Sequence, residues 1–269
     1  MITADKDMVT ENLSKYVRMP LATYLIFLTA VSGGLAATEP EPSPRPQDTR
    51  ACVVLLHGLG RTYRSLRTIA AGLEKAGFKT VNIGYPSRRR PIEALAMEAI
   101  PKALEQCQTA SCDTIHFVTH SMGGLLVRYY LSRHPFKNLG RVVMLGPPNR
   151  GSELADTLQQ HWFYRWLNGP AGRQLSTGPT GIAASLGPVT YPVGIITGNA
   201  PTIFDRRFSN RISGENDGKV SVEHAKVQGM TDFLVLPYSH TFIMEEEETI
   251  AQTIQFLRMG QFNKNETPR

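Results

Sequence analysis

One short stretch of the sequence constrains the fold more than any other. A strand-like run over residues 114–119 ends at residues 120–124, which read His-Ser-Met-Gly-Gly, and a helix-like run over 125–131 follows at once. A serine between a buried strand and a helix, with glycine two positions later, is typical of a tight turn that strains the serine backbone and exposes its hydroxyl. Gly123 is small because the helix must leave close to the strand. The stretch predicts Ser121 as a nucleophile, and the alternative is a strand-turn-helix connection without chemistry.

Two further features belong to this turn. Thr119 stands at the first position of the pattern, where glycine is usual, so the packing there must differ, although a strand accepts threonine readily. The N-terminus of the following helix points free N–H groups and a positive dipole at the turn. The turn therefore suits a reaction in which negative charge develops.

Buried apolar runs alternate with helix-like runs along most of the chain. The predicted strands are 51–57, 79–83, 114–119, 141–145, 191–197 and 232–236, and the predicted helices are 65–76, 92–106, 125 to about 134, and 245–257. In the last helix Ile250, Ile254 and Leu257 stand at core spacing. This order predicts an α/β fold, with a doubly wound, mainly parallel sheet of about six strands and helices on both faces.

The length, composition and charge of the chain exclude some classes of function. A chain of 269 residues with 41% hydrophobic residues can bury one sizeable core, which predicts a single folded domain. The formal charge is +6, and residues 1–37 carry three basic and three acidic side chains, so the excess lies in the folded part. Basic residues do not interleave with aromatic residues and no binding motif is present, so we expect no nucleic-acid partner. A weak association with anionic membrane surfaces is the expectation instead, and the oligomeric state stays open.

The N-terminal residues read as a targeting segment. Residues 19–37 carry no charged side chain, follow Lys15 and Arg18, and end in small residues. This order predicts a secretory signal peptide cleaved after Ala36 or Ala37, and the alternative is an uncleaved membrane anchor. We therefore expect export to the periplasm or the medium. The predicted organisation is a signal peptide or anchor (1–37), a Pro-rich linker (38–50), a folded domain (51–260) with an insertion (153–189), and a C-terminal tail (261–269).

Three cysteines accompany this predicted export. Cys52 falls inside the first strand, where it is expected to act as a small buried hydrophobe. Cys107 and Cys112 lie between a helix end and the next strand. In an oxidising compartment they would close a small disulfide loop, and the alternative is two reduced surface thiols.

A nucleophilic serine needs a base within hydrogen-bond reach, and seven histidines are available. His240 follows the last predicted strand, in a loop at the carboxyl edge of the sheet, where the sites of such folds lie. It is the predicted base, and His224 is the second candidate. The other five lie inside predicted elements or shape glycine-rich turns: His57, His116, His120, His134 and His161.

The base must itself be held by an acid, which lies between the serine and the histidine if the chain order is Ser, Asp, His. Asp217 is the predicted acid, because the neighbouring Asn216 and Gly218 satisfy the bend while the carboxylate turns inward. Asp205 is the second candidate, and Asp232 reads as the first residue of a strand.

Acyl transfer also needs donors for the oxyanion of the tetrahedral intermediate. The loss of one such donor costs roughly 100- to 1000-fold in rate. The backbone N–H groups of Met122, after the serine, and of Leu59, in the turn after the first strand, stand at suitable positions.

Together these pieces resemble the α/β-hydrolase family, in particular bacterial secreted lipases and the lipase-like esterases related to lipid-remodelling deacylases. The matching motifs follow the family's order: residues 57–60 (HGLG), 120–124 (HSMGG), 146–152 (GPPNRGS), 216–220 (NDGKV) and 239–240 (SH). The resemblance implies a minimal version of that fold, which begins at the family's third strand. It also implies Ser121 as nucleophile, Asp217 as acid and His240 as base, with Leu59 and Met122 as the oxyanion hole. No acidic residues match the calcium site of the larger lipases, so neither a metal nor a cofactor is expected.

The insertion over residues 153–189 lies where family members place a lid or substrate wall. It contains Trp162, Phe163 and Trp166, which predict an aromatic cap over an acyl pocket, and the alternative is a short helix packed on the core. Its length favours small or medium acyl esters over bulk triglyceride. The three arginines at 88–90 would meet an anionic head group or form a solvated loop, and the second interpretation is favoured.

The predicted function is therefore that of an exported serine hydrolase, an esterase or lipase-like enzyme that cleaves carboxylic esters of an acyl or lipid substrate. A thioesterase or acyltransferase would use the same three residues with a different leaving group or acceptor. A non-catalytic lipid- or polymer-binding protein on the same fold is the alternative from another class, but it has no need of all three residues.

Overall fold

The computed structural model describes residues 50–203 and 205–264, apart from the side chains of Tyr164 and Arg207. The predicted leader, most of the predicted linker and the last five residues of the predicted tail lie outside the described residues. The strands are β1 (Ala51–Leu56), β2 (Lys79–Ile83), β3 (Thr114–His120), β4 (Leu139–Leu145), β5 (Val193–Gly198) and β6 (Asp232–Leu236). They form a six-stranded sheet in the order β2-β1-β3-β4-β5-β6, in which every neighbouring pair is parallel.

Helices connect the strands. They are α1 (Arg67–Lys75), α2 (Ile92–Thr109), α3 (Met122–Leu131), α4 (Glu153–Leu158), α5 (Trp162–Arg173), α6 (Ile182–Ser185), α7 (Arg206–Ser209), α8 (Val222–Ala225) and α9 (Glu247–Met259), with 3₁₀ turns at Tyr63–Leu66 and Ile243–Glu245. Helices α4 to α6 lie within the predicted insertion. Helix α5 is broken at Gly169, whose φ of 62° and ψ of −159° are not helical.

The core lies on both faces of the sheet because successive side chains of a strand point to opposite sides. Along β1, Cys52, Val54 and Leu56 pack with α2 and α3, whereas Ala51, Val53 and Leu55 pack with α1 and α9. The central strands are therefore apolar at consecutive positions, and the edge strands β2 and β6 are only partly buried. The predicted fold class is confirmed.

The connections of the sheet diverge beside β1. The chain leaves β1 through α1, which packs on one face, and leaves β3 through α3, which packs on the other. A crevice opens between the carboxyl ends of two such neighbouring strands. The turn after β1 and the turn at Ser121 lie at the two sides of this crevice.

The final helix differs in detail from its prediction. Leu257 is buried as expected, but Ile250 and Ile254 are only half-buried. The buried face of α9 instead carries Thr249, Gln252, Thr253, Phe256 and Leu257. The threonine hydroxyl of Thr253 donates to the Thr249 carbonyl, so this polar group is satisfied inside the helix.

The structure pairs Cys52 with Cys107, with Cα atoms 6.0 Å apart. Cys52 is therefore buried but not a free hydrophobe, and the expected loop between Cys107 and Cys112 is not formed. Cys107 pairs with Cys52 because it lies on the buried face of α2, and α2 packs on the same face of the sheet as the Cys52 side chain. Cys112 follows the end of α2 and is a free, partly exposed thiol.

No helix among residues 50–203 and 205–264 combines the length and the apolar character that crossing a bilayer requires.

Candidate active site

The turn between β3 and α3 has the strained geometry that its sequence predicts. Ser121 adopts φ 54° and ψ −125°, a conformation that non-glycine residues rarely take. Its N–H donates to the Leu145 carbonyl of the neighbouring strand at 2.8 Å. Gly123 is required because a Cβ atom there would lie 2.4 Å from the Leu56 carbonyl oxygen. The helix therefore leaves against β1, and the serine side chain stands clear of the sheet.

The three residues predicted as nucleophile, base and acid lie in one hydrogen-bonded chain. His240 Nε2 lies 3.0 Å from Ser121 Oγ, and His240 Nδ1 lies 2.7 Å from Asp217 Oδ2. The backbone N–H of His240 also donates to the Asp217 carbonyl at 2.9 Å. The loops that carry the acid and the base are thus fixed to each other by both side chain and backbone.

The loop around Asp217 aims the carboxylate. Asp217 is fully buried, and its Oδ1 accepts the N–H groups of Lys219 at 2.9 Å and Val220 at 2.8 Å. Asn216 Oδ1 accepts the Gly218 N–H at 3.0 Å, which closes the bend. Because one carboxylate oxygen is held by the backbone, the other is directed at His240.

Gly146 makes room for this pair. It follows β4 with φ 52°, and a Cβ atom there would lie 3.0 Å from both Asp217 Oδ2 and His240 Nδ1. The sequence shows this glycine as the start of a motif, but its contact with the acid and the base appears only in three dimensions.

The second candidates for base and acid have other partners. His224 Nδ1 lies 3.6 Å from Glu153 Oε2, away from the serine. Asp205 Oδ2 accepts the Thr202 hydroxyl at 2.6 Å. Asp232 pairs with Lys264 at 2.6 Å at the start of β6. None of the three is hydrogen-bonded to Ser121 or His240.

His120 contributes a contact that sequence reasoning missed. Its Nε2 lies 2.9 Å from the His240 backbone carbonyl, so this nitrogen carries the proton and donates it. Burial, and then the charge of His240, lower the pKa of His120 well below its usual value. A neutral His120 therefore holds the loop of the base against the end of β3.

The predicted oxyanion donors flank the serine. Met122 is the first residue of α3, so its N–H has no acceptor inside the helix. A Cβ atom at Gly58 would lie 3.0 Å from Ser121 Cβ, which shows how closely the turn containing Leu59 passes the serine. Leu59 and Ser121 both line the same cavity.

This cavity has a volume of about 380 Å³ and reaches Ser121 and His240. Part of its wall is apolar and comes from the turn after β1, the insertion and the loops before β6: Leu59, Leu154, Leu158, Leu175, Phe208 and Val220. The predicted aromatic wall is not part of it. Trp162, Phe163 and Trp166 are 72%, 52% and 79% exposed, respectively, and they neither line the cavity nor pack on the core.

The insertion does wall the cavity, but with aliphatic side chains. The first turns of the insertion, in α4, point Leu154 and Leu158 inward. The first half of α5 exposes Trp162, Phe163 and Trp166, and the helix is broken at Gly169. Sequence could not distinguish these faces because the break changes the helix direction.

Charged side chains form another part of the wall, and sequence reasoning missed them. Arg61, Lys219 and Asp205 line the cavity beside His240. Burial is the main cause that lowers the pKa of Lys219, and the charge of Arg61 adds to it, whereas Asp205 opposes it. The arginines at 88–90 do not line this cavity, and Arg90 forms an exposed ion pair with Glu98 at 3.1 Å.

A metal site is not apparent within the described part of the chain, because no group of three or more His, Cys, Asp or Glu side chains there is placed to hold an ion.

The comparisons with known proteins agree with this fold. The model of the α/β-hydrolase fold family matches residues 52–178. A comparison with curated protein sequences gives no match. Among solved structures, the mature form of the lipase BlEst2 from Bacillus licheniformis is similar, with 20% identity over 81% of this chain and 96% of that chain and a TM-score of 0.65.

Two other solved structures are similar at comparable identity. Phospholipase PlaB from Legionella pneumophila has 17% identity over 78% of this chain and 60% of that chain, with a TM-score of 0.61. The metagenomic carboxyl esterase MGS0156 has 20% identity over 77% of this chain and 71% of that chain, with a TM-score of 0.59. The family model and the similar structures together show that the chain has an α/β-hydrolase fold, similar to those of lipases and esterases.

Proposed function

We propose that this protein hydrolyses carboxylic esters through an acyl-enzyme on Ser121. The observation that carries the proposal is the hydrogen-bonded chain from Ser121 through His240 to Asp217, which lies at a cavity whose wall is partly apolar. The descriptions of the similar structures as lipase, phospholipase and carboxyl esterase support the same reaction class.

The first half of the reaction forms the acyl-enzyme. Ser121 Oγ attacks the ester carbonyl carbon while His240 Nε2 takes the hydroxyl proton. The negative charge that develops on the carbonyl oxygen is stabilised by the N–H groups of Leu59 and Met122. The buried carboxylate of Asp217 stabilises the imidazolium at Nδ1. The bond to the alcohol oxygen then breaks, and His240 gives its proton to the leaving alcohol.

The second half releases the acid. Water takes the place of the alcohol and attacks the acyl carbon, while His240 Nε2 removes its proton. The intermediate collapses with cleavage of the bond to Ser121 Oγ, and His240 returns the proton to the serine. The products are one carboxylic acid and one alcohol, and the site regains its starting state.

The cavity favours short and medium acyl groups. Its volume of about 380 Å³ lies near the lower end of the usual range for ligand pockets, about 300–1,000 Å³. Leu154, Leu158 and Leu175 offer an aliphatic wall to an acyl chain. We propose that this wall is the acyl site.

Hydrolysis of 4-nitrophenyl esters from acetate to laurate tests this function. Wild-type protein is expected to prefer the short and medium esters, and Ser121→Ala, His240→Gln and Asp217→Asn are each expected to lower kcat by about 10⁴-fold or more. Ser132→Ala, an exposed serine after α3, is the matched control and is expected to keep full activity. Folded protein that hydrolyses no ester, or equal activity in Ser121→Ala, would contradict the proposal.

We also propose that the protein is exported. The predicted signal peptide supports this, and so does a disulfide between Cys52 and Cys107, because such bonds persist in oxidising compartments. N-terminal sequencing of the protein from the periplasm and the medium tests the proposal. A mature N-terminus after Ala36 or Ala37 is expected, and reduced protein with its leader in the cytoplasm would contradict it.

A further inference from the structure

Two cationic side chains in the wall of the active-site cavity have no carboxylate partner. Arg61 and Lys219 both line the cavity that reaches Ser121. Neither forms an ion pair within 4.0 Å with any carboxylate of the described residues. Both side chains are partly buried, so water compensates their charges less fully than at the surface.

The two cations converge on one residue beside the base. Arg61 Nη2 donates to the Thr241 carbonyl at 3.1 Å, and Lys219 Nζ donates to the Thr241 hydroxyl at 3.4 Å. Thr241 directly follows His240 in the chain. The positive end of the cavity therefore lies next to the residue that exchanges protons with the substrate.

The carboxylates nearby offset this positive charge only in part: burial and the charge of Arg61 still lower the pKa of Lys219, although the charges of Asp205 and Asp217 raise it. Asp205 is the carboxylate found in the cavity wall among the described residues, and its Oδ2 is engaged by the Thr202 hydroxyl. Asp217 is buried behind the wall and pairs with His240. The charge of Arg61 also helps to lower the pKa of Lys219, as expected for two like charges held close together. An anion between them would relieve this repulsion.

We propose that Arg61 and Lys219 bind an anionic group on the alcohol portion of the ester, such as a phosphate or a carboxylate. This inference rests on the proposed function and names the substrate class of the same site. The protein would then be selective for esters of anionic alcohols, with the glycerol phosphates as the simplest phosphate-bearing case.

The alcohol portion is assigned from the chemistry of His240. The base must reach the leaving oxygen to return its proton, so the alcohol lies on the side of His240. Arg61 and Lys219 are gathered at Thr241 on that side. The aliphatic side chains of Leu154, Leu158 and Leu175 line the other part of the cavity and suit the uncharged acyl chain.

Binding to full-length Ser121→Ala protein, measured by calorimetry, tests the inference without turnover. The probes are 1-butyrylglycerol 3-phosphate and the neutral 1-butyrylglycerol. We expect 1-butyrylglycerol 3-phosphate to bind at least about tenfold more tightly than 1-butyrylglycerol. Arg61→Gln and Lys219→Met are each expected to lower this ratio of affinities by about tenfold. Arg64→Gln and Lys75→Met replace exposed cations outside the cavity and are the matched controls.

Hydrolysis by protein with Ser121 intact is the second test. The ratio of kcat/KM for the phosphate ester over the neutral ester is expected to fall in Arg61→Gln and Lys219→Met and to stay unchanged in the two controls. A charge at the acyl end, as in mono(4-nitrophenyl) succinate compared with 4-nitrophenyl butyrate, is expected to give no preference. Equal binding of both glycerol esters together with equal hydrolysis of 4-carboxyphenyl and 4-carbamoylphenyl butyrate, or equal loss in the controls, overturns the inference.

The two proposals fail in different ways. Hydrolysis of neutral esters without any preference for the phosphate ester or the carboxylate ester leaves the proposed function standing and overturns the anion site. Selective binding of the phosphate to a protein that hydrolyses no ester supports the anion site and contradicts the proposed function. A preference for 4-carboxyphenyl butyrate over 4-carbamoylphenyl butyrate, with no preference for the glycerol phosphate, would assign a carboxylate as the anion.

Discussion

Gly146 shows how one backbone position supports the site without touching a substrate. Its positive φ of 52° is unfavourable for other residues, and a Cβ atom there would lie only 3.0 Å from Asp217 Oδ2 and His240 Nδ1. A methyl group there must displace the acid, the base or both. The position of His240 relative to Ser121 therefore depends on a residue directly after β4.

Gly146→Ala is expected to lower kcat/KM for a short 4-nitrophenyl ester by about 100-fold, since small displacements of catalytic groups have effects of that order. Circular dichroism and thermal unfolding check that the variant is folded. Gly178→Ala is the control, because a Cβ atom at that position would meet no atom of the described residues within 4 Å apart from its chain neighbours. Full activity of folded Gly146→Ala would show that the contact is not needed.

Thr119 departs from the usual sequence pattern, but the turn that the pattern predicts is still formed. The usual glycine is replaced by a threonine that is fully buried in β3, in register with Leu56 and Met144. Its hydroxyl finds no hydrogen-bond partner among the described residues. The strand thus accepts the larger residue, and the strained conformation of Ser121 is kept. The pattern predicts the turn because the strain arises at the serine and the close approach at Gly123.

At the scale of elements, α4 contributes Leu154 and Leu158 to the wall of the cavity, whereas α5 exposes Trp162, Phe163 and Trp166. Leu158→Trp, in α4, is expected to lower kcat/KM for octanoate by about tenfold relative to acetate, because overfilling a packed apolar site excludes the longer chain. Trp166→Ala is expected to change neither ester by more than about twofold, since Trp166 is 79% exposed and outside the cavity.

Steady-state kinetics with both 4-nitrophenyl esters measure the two variants side by side. The opposite pattern, in which Trp166→Ala changes the chain-length preference and Leu158→Trp does not, would mean that the aromatic side chains form the acyl site.

Three strands match their sequence predictions almost to the residue. Strands β2 and β6 have the predicted bounds, and the predicted strand at 114–119 extends by one residue to His120. The carboxyl ends of parallel strands meet at one edge of the sheet, so the sequence could predict that Ser121, Asp217 and His240 lie close together. The pairing of Cys52 with Cys107 could not, because it depends on how α2 packs on β1. The charged wall of Arg61 and Lys219 likewise requires two distant loops to meet at Thr241.

At the scale of the whole molecule, two buried histidines link stability to pH. Burial is the main cause that lowers the pKa of both His57 and His120. In the unfolded chain they bind protons near the usual pKa of about 6.5, whereas in the folded protein they stay neutral to lower pH. As the pH falls through about 6.5, the unfolded state binds more protons than the folded state, so the free energy of unfolding decreases.

Urea unfolding at about pH 7.5, 6.5 and 5.5 measures this dependence. The free energy of unfolding of the wild type is expected to decrease toward pH 5.5, and His120→Gln is expected to show a shallower decrease. His134→Gln changes an exposed histidine and is expected to keep the wild-type slope. Equal slopes in all three proteins would contradict the role assigned to the burial of His120.

The central claim is that Ser121 is an activated nucleophile, and covalent labelling tests it most directly. Full-length protein is treated with a fluorophosphonate probe beside Ser121→Ala, and the modified peptide is identified by mass spectrometry. We predict one label, on Ser121, that is absent in Ser121→Ala and slowed in His240→Gln. A label on another residue, or labelling that survives unchanged in Ser121→Ala, would contradict the account.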